Sequence, residues 1–293
     1  MNVIADQAKL PDERFADAWT AIKIGNDVRE RLTAQSLLSL TIREKLPFEV
    51  APLHGLILLS GPPGTGKTTL ARGLANEVAR ALAPRATNFV QIDPHALASS
   101  ALGRSQKEMT KLFQQTIPEL AAEGPTIVLL DEVETLVADR QKLSLEANPV
   151  DVHRATDAAL AGLDLLTRRL RHVLLIATTN FPEALDRALV SRADLVEEIG
   201  PPNSEARAAI IKEVLEHLAQ QWPGMKGLAK DVSSFVAASE GLDGRRIRKA
   251  LIAAVASSIE TARNPAKVTN KHILAALRTS RDQDVEVRHE GAA

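Results

Sequence analysis

The chain has 293 residues, and its 36 Lys plus Arg stand against 37 Asp plus Glu, a formal net charge of -1. That balance removes the electrostatic basis for nucleic acid as a primary ligand or for an anionic membrane surface, and 3% aromatic residues with no Tyr leave few rings for base stacking. With 45% apolar residues and no Cys, a packed core is affordable while disulfides and thiolate metal sites are excluded, as suits a reducing, cytoplasmic compartment.

Residues 1–18 are expected to be a flexible N-terminus without the apolar stretch of a signal peptide. No run approaches the roughly 18 apolar residues that span a bilayer. From Asp27 to Leu46 the positions Val28, Leu32, Leu37, Leu38, Ile42 and Leu46 recur at three- to five-residue steps, a helical pattern that Pro47 ends. Three short apolar runs follow, LILLS (56–60), TIVLL (126–130) and VLLIATT (173–179). Each is too short for an ordinary helix and does not alternate, so each reads as a strand buried on both faces of a parallel sheet. NFVQI (88–92) and LVEEI (195–199) are weaker strands of the same kind. Helical patterns lie between them at 66–83, 105–117 and 152–170. Strand and helix in alternation predict an α/β domain with right-handed crossovers over residues 19–200.

GPPN (200–203) is a turn cluster and a hinge. Beyond it only helical patterns occur, at 204–220, 231–239, 244–262 and 270–278. They predict a small all-helical domain over 201–280, followed by a disordered tail at 281–293.

Gly61-Pro62-Pro63-Gly64-Thr65-Gly66-Lys67-Thr68-Thr69 fits the phosphate-loop pattern G-x-x-x-x-G-K-[ST], after a predicted strand and at the opening of a predicted helix. Glycines let backbone N–H groups converge on phosphate oxygens, and the helix N-terminus adds its positive dipole end. Lys67 would supply a point charge to the β- and γ-phosphates of ATP, and the Thr68 hydroxyl would ligate Mg2+. Asp131 and Glu132 end a buried strand at the carboxyl edge of the sheet, where α/β proteins bind ligands. Asp131 would hold the Mg2+ through water, and Glu132 would activate the attacking water. Thr178-Thr179-Asn180 ends another strand, where a polar side chain would reach the γ-phosphate or that water. An ordinary Asn-capped turn is the other reading of this triplet. No two of the seven His have metal-ligand spacing, so no zinc site is expected.

Strand, GPPGTGKT, helix, strand, LLDE, strand, ATTN and then a helical region resemble the AAA+ ATPases over roughly residues 19–278. That resemblance implies a five-stranded parallel sheet, a helical lid and a ring, usually a hexamer, with ATP at each subunit interface. It places Asn180 as sensor 1, Arg192 as the arginine finger lent to a neighbour and Arg245 as the lid's sensor 2. A solvated surface charge is the other reading of either arginine. The segment WTAIKIG, with Ile24 and Gly25, falls where the family lays backbone against adenine.

HALASSALGRSQKEMTKLF, LLDEVETLVADR, SRADLVEEIGPPN and EGLDGRRIRKAL are similar to the pachytene-checkpoint, or thyroid-receptor-interactor, ATPases. The resemblance implies a substrate with a HORMA domain, pulled into the ring pore and converted from its closed to its open form. Ala101 stands where that family's first pore loop usually bears a large aromatic, and Leu102 follows it with less apolar area, which implies a short pull on one segment. The second pore loop would fall within residues 139–152. The compact chain is similar to the bacterial branch, which implies a HORMA protein and a cGAS-like nucleotidyltransferase of anti-phage signalling as partners. Two alternatives stay open: a DNA-translocating or loader-type ATPase, and a nucleotide-gated scaffold that does not hydrolyse ATP. Phosphate release separates the scaffold from the enzymes, and stimulation by DNA or by a HORMA protein separates the two enzymes.

Overall fold

The computed structural model describes residues 3–98, 104–137, 149–228 and 232–290. The chain divides into two compact units. The first comprises Met1–Ala21, Gly25–Pro62 and Lys67–Ile199, and the second Ile22–Ile24, Pro63–Gly66 and Gly200–Ala293.

The first unit is built on a six-stranded sheet in the order β1-β3-β4-β5-β2-β6, with β1 Ile4–Leu10, β2 Leu56–Ser60, β3 Thr87–Ile92, β4 Thr126–Leu130, β5 Val173–Thr179 and β6 Leu195–Glu198. Strands β2 to β6 are parallel. Their apolar runs are buried on both faces: every residue of β2, β4 and β5 is buried, as continuous Leu/Ile/Val runs require.

A sixth strand adds an antiparallel edge to the five parallel strands expected, and it stands where residues 4–10 were expected to be flexible. β1 pairs antiparallel with β3, from Ile4 opposite Ile92 to Leu10 opposite Thr87. Its residues IADQAKL alternate between half-buried and exposed, the period-2 pattern of an edge strand covered on one face. Phe15, just beyond, is buried and lies 5.0 Å from Phe89 of β3.

Helices α1 Ala16–Ala21, α2 Asn26–Lys45, α3 Lys67–Ala81, α4 Pro94–Ala98, α5 Arg104–Lys111, α6 Ile117–Ala121, α7 Pro149–Arg169 and α8 Arg187–Val190 accompany the sheet. The expected helix over 105–117 is α5, continued by one wide turn at Leu112–Thr116 into α6. Phe113, Leu160, Leu163 and Leu166 from these helices close over Val90, Val128 and Leu175 of the sheet. On the other face Leu70, Leu74 and Val78 of α3 are buried, as are Ile57, Ile127 and Ile176.

The second unit holds α9 Ser204–Gln221, α10 Val232–Ala238, α11 Gly244–Val255, α12 Ile259–Arg263 and α13 Asn270–Glu290. Its core is Ile210, Ile211, Leu215, Phe235, Leu242, Ile247, Leu251, Ile273 and Leu277. The single helix expected over 244–262 is broken, because Ser258 caps α12. Its hydroxyl accepts the Thr261 N–H at 3.1 Å while Thr261 reaches back to the Ser258 N–H, the reciprocal pair of a capping box. The segment expected as a disordered tail continues as α13 to Glu290, since no Gly or Pro interrupts residues 270–290. Among the described residues no helix is long and apolar enough to cross a membrane.

Candidate active site

The strand order brings three loops together. β5 lies between β4 and β2, with Ser60 opposite Thr179 and Leu130 opposite Ala177. The carboxyl ends of all three strands are therefore neighbours, and the residues after them share one edge of the sheet.

Gly64 and Gly66 of the phosphate loop have φ of +86° and +90°, which side chains rarely tolerate. The space is closed too. A Cβ on Gly66 would meet Ile22 Cδ1 at 2.3 Å, and one on Gly64 would meet the Asp243 carboxyl group at 2.6–2.8 Å. Both contacts lie inside the second unit. Pro62 and Pro63 are exposed, Thr65 is buried and Thr69 is half-buried.

Lys67 opens α3 and is 5% exposed. Its ammonium donates to the Gly61 and Pro62 carbonyls at 2.7 and 2.9 Å. Burial lowers its pKa, and the carboxylates of Glu134, Asp131 and Glu132 act against that shift. These loop carbonyls are weak partners for a buried cation.

Thr68 Oγ1 donates to Asp131 Oδ1 at 2.8 Å, and Thr178 Oγ1 donates to the same oxygen at 2.5 Å. Thr178 Oγ1 in turn accepts the Glu132 N–H at 3.1 Å. Glu132 adopts a left-handed backbone, φ 49° and ψ 53°, which for an L-residue costs on the order of 1–2 kcal/mol. Its backbone is held on both sides, since its carbonyl accepts Thr135 N at 3.0 Å and Thr135 Oγ1 at 2.9 Å. The Asn180 side chain donates to Glu132 Oε1 at 3.4 Å, and the Asn180 N–H donates to Glu134 Oε1 at 3.1 Å.

The structure thus brings Lys67, Thr68, Asp131, Glu132 and Asn180 to one edge. It makes Thr178, named with Asn180 in the sequence, a bridge, and adds one residue that the sequence did not single out, Glu134 as a support. Among the described residues Glu134 Oε2 is buried without a hydrogen-bond partner. The acidic repeat in LLDEVETL is the signal that points to Glu134.

A hydroxyl and carboxylates are hard oxygen donors of the kind Mg2+ takes. The orphaned Glu134 oxygen leaves this edge short of positive partners, so the residues present fit such an ion. Among the described residues no cluster of three or more His, Asp and Glu is preassembled as a metal site.

Arg192 engages different partners. Its Nε and Nη2 donate to the two oxygens of Asp164 on α7, each at 2.8 Å, and its Nη1 donates to the Ala188 carbonyl at 2.8 Å. Asp194, two residues on, accepts the N–H groups of His54, Gly55 and Leu56 at 2.8, 2.7 and 3.3 Å. Arg245 is exposed on the first turn of α11, whose N-cap is Asp243. Ile24 is half-buried, and Gly25 is exposed as the N-cap of α2. In the second unit Lys23 Nζ lies 3.0 Å from Glu213 Oε2. Ala101 and Leu102, and residues 139–148 of the second expected pore loop, lie outside the described residues.

Residues 57–201 match the model of the "ATPase family associated with various cellular activities (AAA)". The chain is 47% identical over 280 residues to CD-NTase-associated protein 6 of Pseudomonas aeruginosa, covering 95% of this chain and 92% of that protein. It is 34% identical over 225 residues to a putative pachytene checkpoint protein 2 of Caenorhabditis elegans, covering 75% of this chain but 53%, about half, of that relative's length. The fold is similar to the solved "Structure of E. coli MS115-1 HORMA:CdnC:Trip13 complex", with a TM-score of 0.76, 18% identity, and 94% of this chain and 95% of that chain covered.

Proposed function

The chain belongs to the AAA ATPase family, in the group of CD-NTase-associated protein 6 and the pachytene checkpoint proteins, and from that premise we propose an ATP-hydrolysing ring that remodels HORMA-domain proteins. The hydrolytic part rests on one observation. Thr68, Asp131, Glu132 and Asn180 are linked through Thr178 at one sheet edge, the edge at which Lys67 opens α3.

Lys67 exchanges its two loop carbonyls for the β- and γ-phosphates of ATP, and the triphosphate supplies the charge its buried ammonium lacks. Thr68 and Asp131 would hold Mg2+, which would neutralise charge on the triphosphate. The Glu132 carboxylate takes a proton from the attacking water, and Asn180 orients both. Arg192 of one protomer reaches the γ-phosphate of its neighbour, and Arg245 closes on the nucleotide as sensor 2. Ile24 and Gly25 border the adenine. Nucleotide sites shared between protomers make a closed ring, a hexamer, the working assembly. Ala101 and Leu102 line its pore and pull on a substrate segment.

The substrate assignment is supported by the likeness to CD-NTase-associated protein 6 and by the HORMA and CdnC partners named for the solved Trip13 complex. By opening a HORMA protein, the ATPase would release a cGAS-like nucleotidyltransferase and hold anti-phage signalling off in the cytoplasm. Phosphate release measured alone, with a bacterial HORMA protein and with duplex DNA tests this. Stimulation by the HORMA protein is expected. Stimulation by DNA alone would favour the translocating alternative, and no release under any condition would favour the scaffold.

A further inference from the structure

The Arg192 guanidinium does not hang free. It is gripped edge-on by Asp164, 28 residues earlier on α7, with Nε and Nη2 each 2.8 Å from a different carboxylate oxygen. A third bond, from Nη1 to the Ala188 carbonyl, ties it to α8, the helix that ends two residues before it. Asp164 is 39% exposed and Arg192 is 23% exposed, and screening by water limits what the pair contributes to stability. What three bonds from three different nitrogens do fix is direction. A guanidinium has five N–H groups in a rigid planar fork. With one each from Nε, Nη1 and Nη2 engaged, one N–H on Nη1 and one on Nη2 have no acceptor among the described residues. Two parallel N–H donors are what a phosphate oxygen pair takes from arginine.

We propose that Asp164 is a positioning residue. It holds the Arg192 guanidinium in a preset orientation, with two N–H groups free, so that a neighbouring protomer's γ-phosphate meets a donor that needs no ordering. An arginine that must be ordered during the reaction loses rotamer freedom at that moment, and preorganised donors avoid the loss. The inference rests on the reading of Arg192 as the residue lent to a neighbour.

The test compares Asp164→Ala, Asp164→Glu and Arg192→Ala with the unaltered full-length protein, by steady-state phosphate release and thermal unfolding. Asp164→Ala is expected to lower kcat about tenfold or more, part of the 10³–10⁵ that an arginine finger supplies. KM and the unfolding midpoint should stay put, and Asp164→Glu should restore part of the rate. In rings doped with Lys67→Ala protomers, which turn over no ATP but lend their arginine, adding Asp164→Ala to the doped protomer should slow its unaltered neighbours. A kcat within twofold of normal in Asp164→Ala, or a kcat that rises because Asp164 merely parks the arginine, would overturn the proposal while leaving Arg192 in place. A full rate in Arg192→Ala would instead sink the reading on which it rests.

Discussion

The Thr178 hydroxyl lies 2.5 Å from Asp131 Oδ1 and accepts the backbone N–H of Glu132 at 3.1 Å, so one side chain at the end of β5 fixes both acidic residues at the end of β4. Thr178 is 1% exposed. Thr178→Val would leave the Glu132 N–H and one lone pair of Asp131 without this partner. Stability is expected to fall by about 1–3 kcal/mol, read by urea unfolding. Phosphate release should fall at least tenfold while ATP binding is kept. Thr178→Ser retains the hydroxyl and should keep most of the rate; a fully active Thr178→Val protein would remove the bridge from the site's working parts.

Glu132 pairs a carboxylate with a left-handed backbone, and the two are separable. Glu132→Gln keeps the shape and removes the base, so ATP should still bind while turnover falls by roughly 10²–10⁴. Glu132→Gly removes the carboxylate and also relieves the backbone, so its unfolding midpoint should equal or exceed that of the unaltered protein. Nucleotide binding by equilibrium dialysis, phosphate release and calorimetry check the three expectations. Ordinary turnover in Glu132→Gln would take the general-base role from this residue.

Much of this site is legible in the sequence, for physical reasons. Lys67 and Thr68 belong to a contiguous loop with its own conformational demands. Asp131, Glu132 and Asn180 follow apolar runs that can only be buried strands. β1 hides because its alternating residues are half polar and its partner β3 is itself a weak run. The break before α12 was readable from Ser258 and Thr261 but sits inside a periodic apolar pattern that masks it. Asp164 gives no local signal at all, since only the fold places α7 against the end of α8.

His54 faces the carboxylates of Asp194 and Asp164 and the cations of Arg192 and Arg43, and packs edge-on against Phe48 at 5.1 Å. Burial dominates and lowers its pKa below the ordinary 6.5. The folded state then binds less than its share of protons as the medium acidifies. The stability tied to neutral His54 is complete above pH 6.5 and is lost as pH falls from there through the lowered folded-state pKa. His54→Gln should flatten that part of the acid limb in urea unfolding measured from pH 7.5 to 5. An unchanged slope would show that the ring titrates as it does in the unfolded chain.

On the proposed reading Ala101 takes the place of the pore loop's large aromatic, and Leu102, which follows it, is left to grip the peptide. Leu102→Ala is expected to leave phosphate release within about twofold while abolishing conversion of a HORMA protein from closed to open form. Leu102→Phe adds apolar area and should speed conversion. Native gel shift of the HORMA protein reads both variants, and conversion at the normal rate by Leu102→Ala would move the grip elsewhere.

Within SRAD, two charged residues two positions apart do different work. Asp194 accepts three backbone N–H groups at the start of β2 and returns its own N–H to the Leu56 carbonyl at 2.8 Å. It thereby joins the entrance of β6 to the strand that leads into the phosphate loop. Carboxylate bonds to backbone donors contribute about 1.5–3 kcal/mol each, and of the three donor residues Gly55 and Leu56 are buried. Asp194→Ala should therefore lower unfolding stability by about 3 kcal/mol or more, with activity lost in step with the folded fraction. Arg192→Ala should show the opposite profile, with the unfolding midpoint kept and turnover gone. If both variants lost stability equally, Arg192 would be a structural residue, and the motif would be a strand anchor rather than an anchor beside a finger.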